Sequence, residues 1–391
     1  MPGEGRLKSE RSPEMTGEIT SKADVLKNLY GKLKYSRIEK MRIVTGGEFE
    51  RDPYSMAKDI GGEFGAGKIG VRSSSSNEDG MNTSNAGHYE SVLGVDPGNP
   101  EEVMRAIREV LESYKCDLDD VTDEQVLIQT QVESISYSGV IFSRELKKNR
   151  PYYAITYDED STDAVTSGRG GKTVYILRNA HEDSLPEHWH ALIRAMRELE
   201  GVFSDYPIDV EFAVDEKNAV TIFQVRPLAA SIRAEKCSIS DEEIFAAADR
   251  ACQKYREIGD LLGEKNTILS DMAFWNPAEM IGENPHPLDY SLYREIITSS
   301  AWNQGLSYIG YKEVDGDLMY KLGNKPYISL RKSFLGLMPD DVDDRLEKKL
   351  LEYYNRKLIA DPTAHDKIEF EIAFSEYDFA TEDKLRKLET Q

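Results

Sequence analysis

Apolar and polar residues alternate between positions 208 and 227 with the two-residue period of a β-strand. Two runs rich in β-branched and aromatic residues, 208–214 and 220–227, are separated by the polar segment 215–219. This pattern predicts two antiparallel strands joined by a short loop.

The length of that loop sets the register of the predicted hairpin. A four-residue loop pairs Asp215 with Val220. Because side chains alternate along a strand, Thr221, Phe223 and Val225 are then expected to share one face of the second strand.

The opposite face of the hairpin carries polar side chains in two cross-strand pairs. The pairs are Glu211 with Gln224 and Asp209 with Arg226. Carboxylate and amide oxygens suit a divalent ion such as Mg²⁺, and a guanidinium holds phosphate through its planar fork. The other interpretation is a surface hairpin with a charged outer face, which is common.

The same periodicities predict the elements around the hairpin. Helices are expected at 21–29, 99–114, 188–200 and 240–263, and strands at 69–72, 92–95, 125–132, 138–143, 152–157 and 173–177. In the first helix, Ser21 is the expected N-cap and Lys22 lies in the first turn. A phosphate there would meet an ammonium and the positive helix end; the alternative is a solvated lysine.

A segment rich in serine and glycine lies between the predicted strands at 69–72 and 92–95. Small residues let backbone N–H groups approach an anion, and serine hydroxyls add donors. Arg72 ends the first of these strands and would point to the same place. The segment therefore predicts a loop that covers phosphate, with a serine-rich linker as the alternative.

Composition limits the class of protein. A chain of 391 residues is long enough for two to three domains. The net charge of −22 argues against nucleic acid or an anionic membrane as the main partner. Three widely spaced cysteines give neither a disulfide framework nor a zinc pattern.

Residues 1–20 are expected to be a disordered leader without a signal peptide, and the protein is expected to be cytoplasmic.

Five ordered motifs resemble one enzyme family. Residues 71–91, Val-Arg-Ser-Ser-Ser…Asn-Ala-Gly-His-Tyr-Glu-Ser, resemble the VRSSA…FAGQxET signature of the ATP-binding domain of pyruvate phosphate dikinase and phosphoenolpyruvate synthase. The other motifs are Ser21-Lys-Ala, Ile128-Gln-Thr-Gln-Val, Ser138-Gly-Val-Ile-Phe and Asp209-Val-Glu…Phe223-Gln-Val-Arg-Pro.

The resemblance implies an α+β ATP-grasp domain at 21–233, with lobes at about 21–115 and 116–233. In such a fold, two lobes built of mixed or antiparallel sheets with helices hold ATP between them. A mainly helical domain would follow at 234–391. Two departures from the family signature are Ser75 in place of alanine and Asn85 in place of phenylalanine.

The resemblance also implies roles for individual residues. The expected catalytic residues are Lys22 and Arg72, which would grip the ATP phosphates, and Arg226, which would steady the transferring phosphoryl group. The expected nucleotide-binding residues are these three with Ser73, Gly87, Gln129, Thr130, Val132, Glu211 and Gln224. Asp209, Glu211 and Gln224 would hold Mg²⁺.

The second half resembles the middle domain of phosphoenolpyruvate-synthase-like enzymes, particularly the L-glutamine kinase type. The resembling segments are 275–282 and 366–372. A polar and aromatic cluster, which either binds a substrate or serves capping and packing, consists of Asp271, Trp275, Asn276, Glu279 and Ser291.

The family's phosphate-carrying histidine segment, of Thr-Ser-His-Ala type, has no counterpart in the sequence. The chain is therefore expected to be truncated or split, and to need a phosphohistidine domain in cis or in trans. The leading hypothesis is the ATP-binding half of a dikinase-type phosphotransferase acting on a small acceptor such as pyruvate or L-glutamine. The alternatives are an ATP-grasp ligase that forms an acyl phosphate and a non-catalytic ATP-binding module; a homo-oligomer is compatible with each.

Overall fold

The structure, a computed structural model, describes residues 21–75, 89–159, 171–204, 206–228, 239–262, 267–271 and 275–361, together with 364, 368 and 386. The chain divides into two compact units, 1–241 and 242–391. The division lies a few residues after the expected 233/234. The expected leader at 1–20 lies outside the described residues.

The first unit begins with a four-stranded antiparallel sheet in the order β1-β4-β2-β3. Its strands are β1 (Met41–Thr45), β2 (Ile69–Ser74), β3 (Ser91–Val95) and β4 (Gln125–Thr130). Its helices are α2 (Gly46–Arg51), α3 (Pro53–Phe64) and α4 (Pro100–Tyr114). One face of the sheet packs against these helices in a buried apolar core.

Helix α4 shows why the sequence folds this way locally. Asn99 accepts a hydrogen bond from the backbone of Glu102, and Pro100 occupies the first turn, where a missing N–H costs nothing. The expected apolar stripe is buried: Val103, Ile107 and Val110 are all completely inaccessible. The predicted start, end and core face of this helix are confirmed.

A second antiparallel sheet has five strands in the order β7-β6-β5-β8-β9. They are β5 (Ile135–Phe142), β6 (Tyr152–Asp158), β7 (Lys172–Leu177), β8 (Ile208–Asp215) and β9 (Val220–Pro227). Helices α1 (Lys22–Leu29) and α5 (Glu187–Val202) share its core. All the strands and helices predicted in this region are present.

Helix α1 contributes to the packing of both sheets. Leu26 and Leu29 are buried in the core of the second sheet, which also includes Leu127 from β4. The chain then runs beside the edge strand β9. There Arg37 donates its backbone N–H to Val220 at 2.8 Å and accepts from Ile222 at 2.9 Å, which covers part of that edge.

These two sheets with their helices confirm the expected α+β class. The lobe division differs from the expected 115/116, because β4 pairs with both β1 and β2. The first sheet therefore extends to residue 130, and the second begins at 135.

The second unit is mainly helical, as expected, with a small three-stranded sheet in the order β10-β12-β11. Its helices are α6 (Asp241–Leu262, beginning at the boundary), α7 (Pro277–Ile281), α8 (Pro287–Tyr293), α9 (Ala301–Ser307), α10 (Leu330–Gly336) and α11 (Asp344–Ala360), with a π-helix at Arg294–Thr298. Its strands are β10 (Leu269–Ser270), β11 (Met319–Leu322) and β12 (Lys325–Ser329). Within the described ranges, no helix is both long and apolar enough to cross a membrane.

Candidate functional site

The β8–β9 hairpin has both of the predicted polar pairs. Glu211 lies opposite Gln224, and Asp209 lies opposite Arg226. The register nearer the loop is different, because Val220 pairs with Val214 rather than with Asp215. The predicted loop register is therefore wrong, while the predicted pairs at the other end of the hairpin are confirmed.

A β-bulge explains why the register near the loop differs from the prediction while the two polar pairs at the other end agree with it. The register shifts between Glu211 and Phe212, and Phe223 is the extra residue on β9. Ile222 and Val225 both lie in the apolar core, on either side of this extra residue. Phe223 is not part of that core whereas Val225 is, so the expectation that Phe223 and Val225 share a face is wrong.

Arg226 is fixed by the residue opposite it. Its Nε donates to both carboxylate oxygens of Asp209, at 2.7 and 2.9 Å. The carboxylate of Asp209 is almost fully buried. Charge-assisted bonds of this kind hold the plane of the guanidinium in one orientation.

Glu211 lies among three positive charges. Its Oε2 is 3.9 Å from Nζ of Lys22, which is itself buried. Burial alone would raise the pKa of the Glu211 carboxyl, but Lys22, Arg72 and Arg226 together hold this pKa below its usual range. Glu211 is therefore ionised at neutral pH.

Arg72 reaches this region from the first sheet. Its guanidinium carbon lies 4.8 Å from the ring centroid of Phe223, a cation–π contact between the two sheets. Nη1 of Arg72 is buried and has no hydrogen-bond partner among the described residues. A buried, unsatisfied donor on a cation is costly and is well suited to an anionic acceptor.

A cavity of about 50 Å³ lies beside Arg72. It is lined by Gly70, Arg72, Leu93, Gln129, Thr130, Gln131, Val132, Ile135 and Phe223. Gln129 is 3% exposed, and its Nε2 has no partner in the described part of the chain. The structure thus brings the predicted residues Arg72, Gln129, Thr130 and Val132 to a single cavity between the sheets.

The N-terminus of α1 differs in one respect from expectation. Ser21 is the N-cap, as predicted, and its hydroxyl oxygen accepts from the N–H of Asp24 at 3.1 Å. The N–H of Ala23 is also engaged, at 2.9 Å from the hydroxyl oxygen of Ser74. A phosphate near Lys22 would therefore meet the ammonium but not these two amides.

One other predicted residue, Ser73, lies apart from this cluster. Ser73 is buried and follows Arg72 on β2, so alternation places its side chain on the helix-covered face of the sheet. Gly87 lies outside the described residues. Asp209 lies close to the cluster but gives both oxygens to Arg226, which leaves Glu211 and Gln224 as the better pair of metal ligands.

The residues present fit a polyphosphate with a divalent ion. Three cations against two carboxylates leave one net positive charge in a chain whose total is −22. The ionised Glu211 and the amide oxygen of Gln224 are oxygen ligands of the kind Mg²⁺ takes together with phosphate oxygens. The unsatisfied donors of Arg72 and Gln129 provide further places for acceptors of a ligand.

The expected nucleotide-binding residues do not include five residues of the cavity, namely Gly70, Leu93, Gln131, Ile135 and Phe223. Leu93 belongs to a predicted strand and Ile135 lies between two of them, and nothing in their apolar character separates them from core residues. Phe223 could have been found only by recognising the bulge, for which the alternating pattern gives no signal.

In the second unit, the polar cluster has structural partners. Asn276 accepts from the N–H of Ala278 at 2.9 Å and caps α7. Asp271 pairs with Lys325 at 2.6 Å. Trp275 stacks on Trp302 with ring centroids 5.4 Å apart. These contacts agree with the capping and packing interpretation.

Comparison with known proteins gives similarity at the level of structure. No protein-family model and no curated protein matches the chain. The chain is similar to PH1788 from Pyrococcus horikoshii Ot3, with 13% identity over 53% of this chain and 88% of that one, at a TM-score of 0.35.

Two further solved structures show comparable similarity. The D-alanine–D-alanine ligase from Helicobacter pylori is 14% identical over 55% of this chain and 52% of its own, at a TM-score of 0.31. The dinucleotide-forming acetyl-coenzyme A synthetase 1 from Ca. Korarchaeum cryptofilum is 14% identical over 54% of this chain and 93% of its own, at 0.35. At these TM-scores the likenesses say nothing about the substrate or reaction of this chain.

Proposed function

We propose that residues 21–228 bind ATP with Mg²⁺ between the two sheets and transfer one of its phosphoryl groups. The observation that carries this proposal is the convergence of Lys22, Arg72 and Arg226 on Glu211. These cations come from α1, β2 and β9, three elements that only the tertiary fold brings together. A surface hairpin with one ion pair would need no such arrangement.

Each side chain has a physical role in this proposal. Lys22 and Arg72 bind phosphate oxygens, and Arg226, held in orientation by Asp209, steadies the phosphoryl group that moves. Glu211 and Gln224 would hold Mg²⁺, which supplies charge neutralisation to the phosphates when bound. Phosphoryl transfer depends chiefly on such positioning and charge stabilisation.

Binding is the first measurement. Isothermal titration with the non-hydrolysable analogue AMP-PNP is expected to show Mg²⁺-dependent binding. Because a hydrogen bond to a charged group contributes about 1.5–3 kcal/mol, Lys22→Gln or Arg72→Gln is expected to weaken it by roughly tenfold to a hundredfold. Arg105, an exposed residue of α4, gives the matched control, since Arg105→Gln removes one charge far from β8 and β9.

The products distinguish two reactions. A dikinase-type enzyme releases AMP, leaves one phosphoryl group on a histidine of another domain and releases the other as inorganic phosphate, whereas a ligase passes one phosphoryl group to a carboxylate acceptor as an acyl phosphate and releases ADP. The first agrees with the order of the five sequence motifs. Chromatography of the nucleotides after incubation with candidate acceptors separates the two reactions, and unchanged AMP-PNP affinity in both the Lys22 and Arg72 variants would refute the site itself.

A further inference from the structure

Ser74 occupies the junction between α1 and β2. Its hydroxyl oxygen accepts from the backbone N–H of Ala23 at 2.9 Å, in a buried contact between residues 51 positions apart. Its own N–H donates to the hydroxyl of Tyr114 at 2.8 Å, and that hydroxyl donates to the carbonyl of Gln125 at 2.7 Å. Ser74 is 1% exposed, so water cannot replace these bonds.

The hydrogen bond between Ala23 and Ser74 lies between the segments that carry two of the site's cations, Lys22 and Arg72. Ser74 lies two residues after Arg72 and therefore on the same face of β2. Ala23 directly follows Lys22 in the first turn of α1. One hydrogen bond thus joins the backbone beside Lys22 to the strand that carries Arg72.

We propose that Ser74 is a positioning residue that sets the ammonium of Lys22 against Arg72 and Glu211. This inference rests on the proposed function, because it assigns Ser74 an effect on phosphate binding that is exerted through Lys22. α1 is short, with eight residues, and its N-terminal turn meets the first sheet through Ser21 and Ser74. Without the Ser74 acceptor, the N–H of Ala23 is buried and unsatisfied, and the first turn shifts to relieve it.

The phosphate contact of Lys22 depends on that turn. Its Nζ lies 3.9 Å from Oε2 of Glu211, so a shift of α1 by about 1 Å alters the distance to any phosphate held at the same place. Arg72 and Arg226 lie on strands and keep their positions. The expected defect is therefore specific to Lys22.

A double-mutant cycle tests this. AMP-PNP with Mg²⁺ is titrated into the full chain, into Ser74→Ala, into Lys22→Gln and into the double variant. Ser74→Ala is expected to weaken binding by about tenfold. In the Lys22→Gln background the same change is expected to have less than a twofold effect, because the side chain through which Ser74 acts is gone. Ser74→Thr, which keeps the hydroxyl, is expected to restore most of the affinity.

Tyr114→Phe is the matched control. It removes a buried hydroxyl of the same network but leaves the Ser74–Ala23 bond in place. This variant is expected to lower the melting temperature while AMP-PNP affinity stays within twofold of wild type. A comparable affinity loss in Tyr114→Phe would assign the effect to general destabilisation and overturn the proposal. Should Ser74→Ala fail to fold, Ser74→Cys, with a weaker acceptor, replaces it in the cycle.

The outcomes separate this inference from the proposed function. If Lys22→Gln alone has no effect on AMP-PNP affinity, the role of Lys22 and with it that of Ser74 is refuted, and if Arg72→Gln has no effect either, the proposed function is refuted as well. If Lys22→Gln weakens binding but Ser74→Ala does not, or if the two effects are additive, only the role of Ser74 is refuted.

Discussion

At the scale of single residues, Glu211 gives a pH-dependent prediction. Its folded pKa is lowered, so the ionised carboxylate stabilises the folded state. That contribution is complete above the ordinary glutamate value of 4.5 and is lost as the pH falls through the folded pKa. Glu211→Gln is therefore expected to lower the free energy of unfolding at pH 7 by about 1 kcal/mol or more.

The difference in the free energy of unfolding between wild type and Glu211→Gln is expected to shrink below pH 4.5, because the wild-type carboxyl then also becomes protonated. Urea denaturation at several pH values measures it. Glu50, exposed on α2, provides the control, because Glu50→Gln removes a charge that has no such group of cations around it. A difference that grows on acidification would contradict the direction assigned to the pKa.

Single residues also show how far sequence reasoning reaches. The shared faces of Asp209 with Glu211 and of Gln224 with Arg226 were predictable, because alternation has a period of two. Phe223 was not, because a bulge adds one residue without changing the local apolar pattern. The wrong loop register and the unpredicted bulge offset each other by one residue, which is why the polar pairs came out correctly.

At the scale of elements, local signals predicted most strands and helices of the first unit, but not β1, α2 or α3. β1 and α2 have only five and six residues, and α3 contains Gly61 and Gly62, a dipeptide typical of turns. The membership of β4 in the first sheet depends on pairing with β1 and β2, a non-local interaction. Sequence periodicity predicts a strand but not its neighbours.

Close packing between β5 and β6 leads to an element-scale prediction. A Cβ on Gly139 would lie 2.0 Å from the backbone oxygen of Thr156, and a backbone atom cannot rotate away. Gly139→Ala is therefore expected to destabilise the protein by about 2 kcal/mol or more, because overpacking forces the strands apart. The change in urea midpoint measures this.

Gly62 in α3 is the matched glycine for that experiment. A Cβ there meets no atom within 4 Å. Because alanine loses less backbone entropy than glycine in a helix, Gly62→Ala is expected to stabilise the protein by roughly 0.5–1 kcal/mol. Equal midpoints for the two variants would show that the approach of β5 to β6 is not as tight as described.

At the scale of the whole molecule, the two units have separate apolar cores. Buried residues of the first unit form the cores of the two sheets, while Leu330, Phe334 and Tyr354 belong to the core of the second. The proposed nucleotide site uses residues of the first unit only. Core substitutions in the second unit are therefore expected to lower stability without changing nucleotide binding.

Phe334→Ala and Phe212→Ala test that expectation, since both side chains are almost fully inaccessible. Each substitution is expected to cost about 3–5 kcal/mol in the unit that contains it. Phe212 lies next to Glu211 on β8, so its loss should also disturb the hairpin and weaken AMP-PNP binding. Phe334→Ala should lower thermal stability but leave the AMP-PNP affinity of the folded protein at the wild-type value. A large affinity loss in Phe334→Ala would mean that the second unit contributes to nucleotide binding, and the site would then have to include groups outside residues 21–228.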